Sequence, residues 1–238
     1  MIVSIFKIIL VVVYTILIST MELLITPFLR TGNLYHALAK LHARGVLAIS
    51  GVKLEVEGLD RVEFSRGYIY VSNHASYFDI PAVIAGIPDQ IRIVYKKELE
   101  KIPIFGWGLK YGKTYIGIDR GKGQDAIQSL DAAANKIRNG ASVILFAEGT
   151  RTPDGNLQPF KRGPFNLAVK AQAPVVPVAI HGSRAVLPKD SWRIRPGTIK
   201  LVLSEPIDPP QPNGKESEFG LRDKVHEIIQ NNLRGRQS

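Results

Sequence analysis

The stretch Val71-Ser72-Asn73-His74-Ala75-Ser76-Tyr77-Phe78-Asp79-Ile80-Pro81 reads as the end of a β-strand, a polar loop and the first turn of a helix. Tyr68 to Ser72 supplies the β-branched and aromatic run of a strand. Asp79 suits the start of a helix as an N-cap, and Pro81 is tolerated in its first turn. A strand passing directly into a helix is the repeating unit of an α/β layer. Loops at the ends of such strands are where these sheets gather functional side chains.

Outward from this unit the pattern repeats. Lys53–Glu57, Arg92–Val94, Thr114–Ile118, Val143–Phe146, Val175–Ile180 and Ile199–Leu203 read as further strands, bounded by Gly, Pro, Asn or Asp. Asp79–Ala85, Ile104–Lys110, Gln124–Arg138, Pro164–Ala171 and Phe219–Leu233 read as helices. In Gln124–Arg138 the residues Ile127, Leu130, Ala134 and Ile137 share one face, and Gly140 follows as a stop signal. The expected fold is therefore α/β: a mixed, largely parallel central sheet flanked by helices. Pro177 lies inside the Val175–Ile180 run, which points to an edge or bulge position.

The N-terminus departs from this pattern. Ile8 to Leu29 holds one charged side chain, Glu22. A membrane span needs about 20 apolar residues, and the run is long for a signal peptide. Leu34 to Ile49 then places Leu34, Leu38 and Leu41 among His36, Lys40, His42 and Arg44, an amphipathic pattern with a basic face. Gly32-Asn33 between the two segments marks a turn. The division expected is a membrane-associating helical hairpin over residues 1–50 and an α/β domain over 51–238, with a single span or a buried helix pair as the competing readings.

Composition narrows the chemistry. Of 238 residues 45% are hydrophobic and 22% charged, which permits a packed core. Without cysteine there are no disulfides, thiolate nucleophiles or cysteine-bound metals. Carboxylates and histidines do not cluster at ligand spacings, so no metal is expected. The net charge of +10 suits anionic partners. No basic run is interleaved with aromatics as a nucleic-acid module would require, so anionic lipid or a phosphorylated substrate is the better match.

Within the opening stretch, His74 lies in the loop and Asp79 at the helix start. A carboxylate bonded to one imidazole nitrogen fixes the tautomer and leaves the other nitrogen as a base. The bland alternative is a helix-capping aspartate beside a loop histidine. A second site follows the strand Val143–Phe146 as Ala147-Glu148-Gly149-Thr150-Arg151. Gly149 permits close backbone approach, Arg151 offers a planar fork for phosphate, and Glu148 is placed to hold that arginine. Phe160-Lys161-Arg162-Gly163 opens a helix with a lysine near its start, a setting that suits an anion. Gly117-Ile118-Asp119-Arg120 ends another strand, and Arg120, Arg151 and Lys97 together favour a phosphate. The bland reading of these charges is solvated turns and local ion pairs.

The combination resembles the lysophosphatidate acyltransferases of the glycerophospholipid acyltransferase superfamily. Four blocks stand in that family's order: Asn73-His74 with Asp79; Ile118-Asp119-Arg120; Phe146 with Glu148-Gly149-Thr150-Arg151; and Val176-Pro177-Val178 with Ile180. The resemblance covers roughly residues 51–204. Ala147 stands where the family commonly has proline, and Thr114 where it has glycine. The resemblance implies transfer of a fatty acyl group from acyl-CoA or acyl carrier protein to the free hydroxyl of lysophosphatidate, giving phosphatidate. It implies His74 as general base, Asp79 as its orienting partner, and a phosphate pocket drawing on Arg120, Glu148, Gly149, Thr150 and Arg151, with Lys97 and Lys161 beside it. No cofactor beyond the donor substrate is implied, and the location would be the cytoplasmic face of the inner or plasma membrane. Glycerol phosphate or another lysophospholipid is the alternative acceptor. A lipid ester hydrolase is the rival class, and it lacks a Gly-x-Ser-x-Gly elbow here. A non-catalytic lipid-binding scaffold is a third, and it would not need these residues together.

Overall fold

The computed structural model describes residues 1–25, 32–111, 115–118, 124–211 and 214–235. Seven strands form one sheet: β1 (Val52–Glu57), β2 (Ile69–Ser72), β3 (Ile91–Lys96), β4 (Ile116–Ile118), β5 (Ser142–Phe146), β6 (Val175–His181) and β7 (Gly197–Leu203). Their spatial order is β1-β7-β6-β2-β5-β3-β4. Neighbours are parallel except β6 and β7, so β1 and β7 run against the other five. The mixed, largely parallel sheet expected from the sequence is present.

Period-two alternation builds two packed faces from this sheet. On one face Ile69, Val71, Val143, Val175 and Ala179 meet helices α5 (Gln124–Arg138), α6 (Gly163–Ala171) and α8 (Gly214–Arg234). On the other, Tyr70, Ile144, Val176, Val178, Ile180 and Leu201 lie under α3 (Asp79–Gly86). Ala134 and Ile137 of α5 are buried as expected, while the side chains of Ile127 and Leu130 lie outside the described residues. The short helices α4 (Phe105–Tyr111) and α7 (Ser183–Val186) complete the domain.

Pro177 is not at an edge: β6 lies between β7 and β2. The β7 ladder begins at the pair Val178 and Leu203, and just beyond it the Ser204 amide donates to the Pro177 carbonyl at 3.0 Å. Pairing resumes at Val175 and Ile207, so residues 176–177 face residues 204–206 and Pro177 lies at a bulge, the second of the two positions its place in a strand suggested.

At the N-terminus α1 (Ile2–Ile25) and α2 (Gly32–Ser50) form an antiparallel pair. Lys7 Nζ donates to the Ser50 carbonyl at 2.7 Å, Tyr14 Oη donates to the Leu41 carbonyl at 3.0 Å, and Thr15 Oγ1 lies 2.9 Å from His42 Nε2. Gly32 and Asn33 open α2 instead of forming the connecting turn; the connection itself lies outside the described residues. Glu22 is buried against α4, its carboxylate close to Gly108, so the one acid of the apolar run points into protein. Among the described residues, α1 is the one helix long and apolar enough to cross a membrane, and most of it is uncovered.

Phe165 of α6 is fully buried between the sheet and α8. Phe165→Ala is expected to cost about 3–5 kcal/mol of unfolding free energy, through lost transfer energy and the cavity left behind. Urea titration of the detergent-solubilised protein measures it. A loss no larger than that of an exposed site would show that α6 is not packed as described.

Candidate active site

The site is built where β2 and β5 end side by side. Ser72 is in register with Phe146, and the Ala147 amide extends the ladder to the Ser72 carbonyl at 3.1 Å. The two loops that leave the sheet are then tied together. The His74 amide donates to Glu148 Oε1 at 2.6 Å, and the Thr152 amide donates to the His74 carbonyl at 2.8 Å. On the other flank Asn73 pairs with β6: its Oδ1 accepts the Ile180 amide at 2.8 Å and its Nδ2 donates to the Ile180 carbonyl at 3.0 Å.

His74 Nδ1 lies 2.7 Å from Asp79 Oδ2. The same oxygen accepts the amides of Ala75 at 2.8 Å and Ser76 at 2.9 Å. A carboxylate oxygen receiving two backbone donors acts as an acceptor, so Nδ1 carries the proton and Nε2 presents a lone pair. Phe146 stacks on the imidazole, with centroids 4.1 Å apart and planes 21° apart, and fixes the ring plane. The His74 side chain remains 15% exposed, so Nε2 stays reachable.

Asp79 does not cap α3. The N-cap residue is Phe78, with no side-chain cap bond, and the Asp79 carboxylate reaches back to the preceding loop. Neither nearby serine hydroxyl is positioned as a nucleophile. Ser72 Oγ donates to the Asn73 carbonyl at 2.9 Å, and Ser76 Oγ donates to the Leu187 carbonyl at 2.8 Å.

The remaining candidates separate. Glu148 is buried, and its second oxygen accepts the Gln158 amide at 3.2 Å. It therefore clamps backbone on both sides. It does not hold Arg151 as the sequence reading expected, because its oxygens face amides. Arg151 instead lies over the Tyr77 ring, 3.6 Å from its centroid. Gly149 has φ +74, the left-handed conformation that favours glycine, and the flexible end of the Lys161 side chain lies against it. Thr150 and Lys161 are exposed beside it. Lys97 is exposed just past β3, two strands from β2, and makes no hydrogen bond or ion pair with these residues. Arg120 and Asp119 lie outside the described residues. Tyr77 and Phe146 are the site members that charge-based reading of the sequence passed over. Their signal was an exposed aromatic within the histidine loop and an aromatic at the last strand position before Glu148.

Next to the loops a groove of about 690 Å³ opens between the hairpin and α3. Its walls are mostly apolar, including Val12 and Val46 of the hairpin and Ile80 and Ile84 of α3, and Tyr77 and Arg151 belong to the same lining. A guanidinium fork thus stands beside an aliphatic cleft, one loop away from an oriented imidazole.

A family model described as Acyltransferase matches residues 53–181. The chain is 32% identical over 190 residues to a 1-acyl-sn-glycerol-3-phosphate acyltransferase of Pseudomonas aeruginosa, covering 78% of this chain and 72% of that protein. It is 34% identical over 201 residues to one of Cocos nucifera, covering 82% and 63%. Among solved structures, the 1-acyl-sn-glycerophosphate acyltransferase of Thermotoga maritima superposes with a TM-score of 0.83 at 27% identity, covering 100% of this chain and 95% of that one. The chain spans only 50% to 63% of the length of several plant relatives it matches.

Burial pushes the Glu148 carboxyl up to about 7 from its ordinary 4.5, against the two amides that favour its charge. The folded state then holds this proton more tightly than the unfolded chain. Its contribution to stability is complete below about pH 4.5 and is lost as pH rises toward about 7. Glu148→Gln is expected to be less stable than wild type at the acid end of that window, with the gap narrowing toward the neutral end. Thermal melts of both proteins across the window decide it; a gap independent of pH would mean that Glu148 is ionised throughout.

Proposed function

The chain belongs to the 1-acyl-sn-glycerol-3-phosphate acyltransferase family, and we propose that it transfers a fatty acyl group from an acyl thioester to the free sn-2 hydroxyl of lysophosphatidate at a membrane surface. The observation that carries the chemistry is the His74–Asp79 pair, with Nδ1 engaged and Nε2 free to accept a proton. The acceptor hydroxyl oxygen attacks the thioester carbonyl carbon while Nε2 takes its proton. Asp79 stabilises the imidazolium that results and itself stays ionised. The tetrahedral adduct collapses with cleavage of the C–S bond, and the imidazolium returns the proton to the departing thiolate. Ester and thiol are the products, and no acyl-enzyme is needed.

Arg151 and the adjoining groove support an amphiphilic acceptor with a phosphate head and an acyl tail. A guanidinium held over the Tyr77 ring, and not engaged by Glu148, leaves N–H groups for bidentate phosphate binding. Holding the phosphate also places the acceptor hydroxyl, so this contact serves orientation as well as affinity. Glycerol phosphate would leave the groove unfilled on the acceptor side. The hydrolase reading is disfavoured by the engagement of Ser72 and Ser76 with backbone carbonyls. The donor is proposed to be acyl-CoA or acyl carrier protein, and the apolar α1 with its partner α2 is proposed to anchor the enzyme in one leaflet of the membrane.

Membranes containing the protein are expected to form phosphatidate from lysophosphatidate and acyl-CoA. His74→Ala is expected to lower kcat at least about a hundredfold, as loss of a general base does. Asp79→Asn should also impair kcat by disturbing the tautomer. Ester release without diacyl product would replace transfer by hydrolysis, and retention of more than about a tenth of kcat in His74→Ala would remove it as the base.

Arg151→Ala is expected to cost about 2 kcal/mol or more in transition-state stabilisation, with the rise in KM falling on lysophosphatidate and not on the donor. Tyr77→Ala should reproduce part of that rise, while Tyr77→Phe keeps the ring face and should leave KM near the wild-type value. Steady-state kinetics varying each substrate separate the cases. A rise confined to the thioester would move Arg151 to the donor's own phosphates.

A further inference from the structure

Between α7 and β7 the chain runs Leu187-Pro188-Lys189-Asp190-Ser191-Trp192-Arg193-Ile194-Arg195-Pro196. This loop is held at both ends. The Leu187 carbonyl accepts Ser76 Oγ at 2.8 Å, the Arg195 amide donates to the Val186 carbonyl at 2.9 Å, and Ile194 is buried. Within it the Ser191 amide donates to the Pro188 carbonyl at 3.2 Å, the Arg193 amide donates to Ser191 Oγ at 3.1 Å, and Asp190 takes a left-handed φ of 62°. Such a conformation costs a non-glycine residue free energy and persists where the surroundings enforce it.

What this loop displays is apolar. Trp192 is 80% exposed, among the most exposed large hydrophobic side chains outside α1. Arg193 and Arg195 flank it, both exposed, and neither makes an ion pair among the described residues. The loop also touches the hairpin: Ser4 Oγ of α1 donates to the Ile194 carbonyl at 3.3 Å. The first turns of α1 beside it leave Ile2, Val3, Ile5 and Phe6 exposed. Trp192 further lines the groove that Ile8 and Val12 of α1 line from the hairpin side. The uncovered apolar face of α1, the groove and the indole are therefore contiguous.

Indole combines a large apolar body with an N–H donor, a combination favoured at the boundary between headgroups and acyl chains. Arginines beside it match the phosphates of anionic lipids. We propose that the 187–196 loop is a second membrane-contacting element, in which Trp192 sits in the headgroup layer of an anionic bilayer while Arg193 and Arg195 meet lipid phosphates. The proposal rests on the reading of α1 as membrane-associated and does not depend on which acceptor is acylated.

The chain has two tryptophans, so Trp107→Phe leaves Trp192 as the sole indole fluorophore. This variant, in the full chain, is reconstituted with vesicles of phosphatidylcholine and phosphatidylglycerol whose acyl chains carry bromine either near the carbonyl or near the methyl end. The expected result is a blue-shifted emission relative to detergent-free water-exposed indole, and quenching that is stronger for the shallow bromine. Arg193→Ala with Arg195→Ala in that background should lose the larger blue shift seen with phosphatidylglycerol than with phosphatidylcholine alone. If Trp107→Phe does not fold, Trp107→Tyr takes its place. Red, unquenched emission from protein that sediments with the vesicles and resists carbonate overturns the loop's role while leaving the α1 anchor intact. Stronger quenching by the deep bromine overturns the headgroup placement. Protein that stays free of the vesicles overturns both the anchor and this proposal, and phosphatidate formation, measured on the same vesicles, tests the reaction separately.

Discussion

One carboxylate oxygen organises the loop that carries His74. Asp79 Oδ2 accepts His74 Nδ1, the Ala75 amide and the Ser76 amide, and the residue is fully buried. A buried charge without partners would be costly, so the loop must curl around it to supply donors. The curl is what brings His74 back over the first turn of α3. Orientation of the imidazole and folding of the loop are thus one event. Helix capping, which the position of Asp79 invites, is given up in exchange.

A second buried acid fixes where that loop stands. Glu148 binds the amides of His74 and Gln158, joining the loop after β2 to the segment that follows β5. Asn73 performs the corresponding task toward β6 with both ends of its amide. Each of these side chains answers backbone groups left unpaired where strands stop. The imidazole is thereby referenced to three adjacent central strands, β6, β2 and β5, the most rigid part of such a sheet.

Much of this was legible in the sequence. The seven strands came from β-branched runs, and the His74–Asp79 partnership from a loop between a strand and a helix. The partners of Glu148 were not legible, because a carboxylate bound to backbone amides leaves no trace in side-chain types. Charge pairing suggested Arg151, whereas the ring of Tyr77 lies beneath that guanidinium. Pro177 left two positions open, edge or bulge, for a related reason. Proline signals a missing donor, but only the pairings of Ser204 with Pro177 and of Ile207 with Val175 show that it stands at a bulge and that β6 is interior. Glu22 stood in the sequence only as the one charge of an apolar run. Burial against α4 shows which side of α1 faces protein.

The polar and apolar halves of the site meet through Ser76. Its backbone amide binds Asp79, its hydroxyl donates to the Leu187 carbonyl and accepts the Phe78 amide. One residue therefore links the histidine loop to the loop that displays Trp192, and that loop in turn is bonded to Ser4 of α1. A serine beside His74 invites comparison with a nucleophile, yet here it works as a strut. The consequence for a reaction on amphiphiles is geometric. If α1 and Trp192 fix the depth of the protein in a leaflet, the same chain of bonds fixes the height of His74 above it. On the proposed reaction the groove would then admit an acyl tail from the lipid side, and the polar head would remain at the level of Arg151 and His74. Such an arrangement would need no large closure to bring hydroxyl and imidazole together, because lateral entry from the bilayer would supply the orientation.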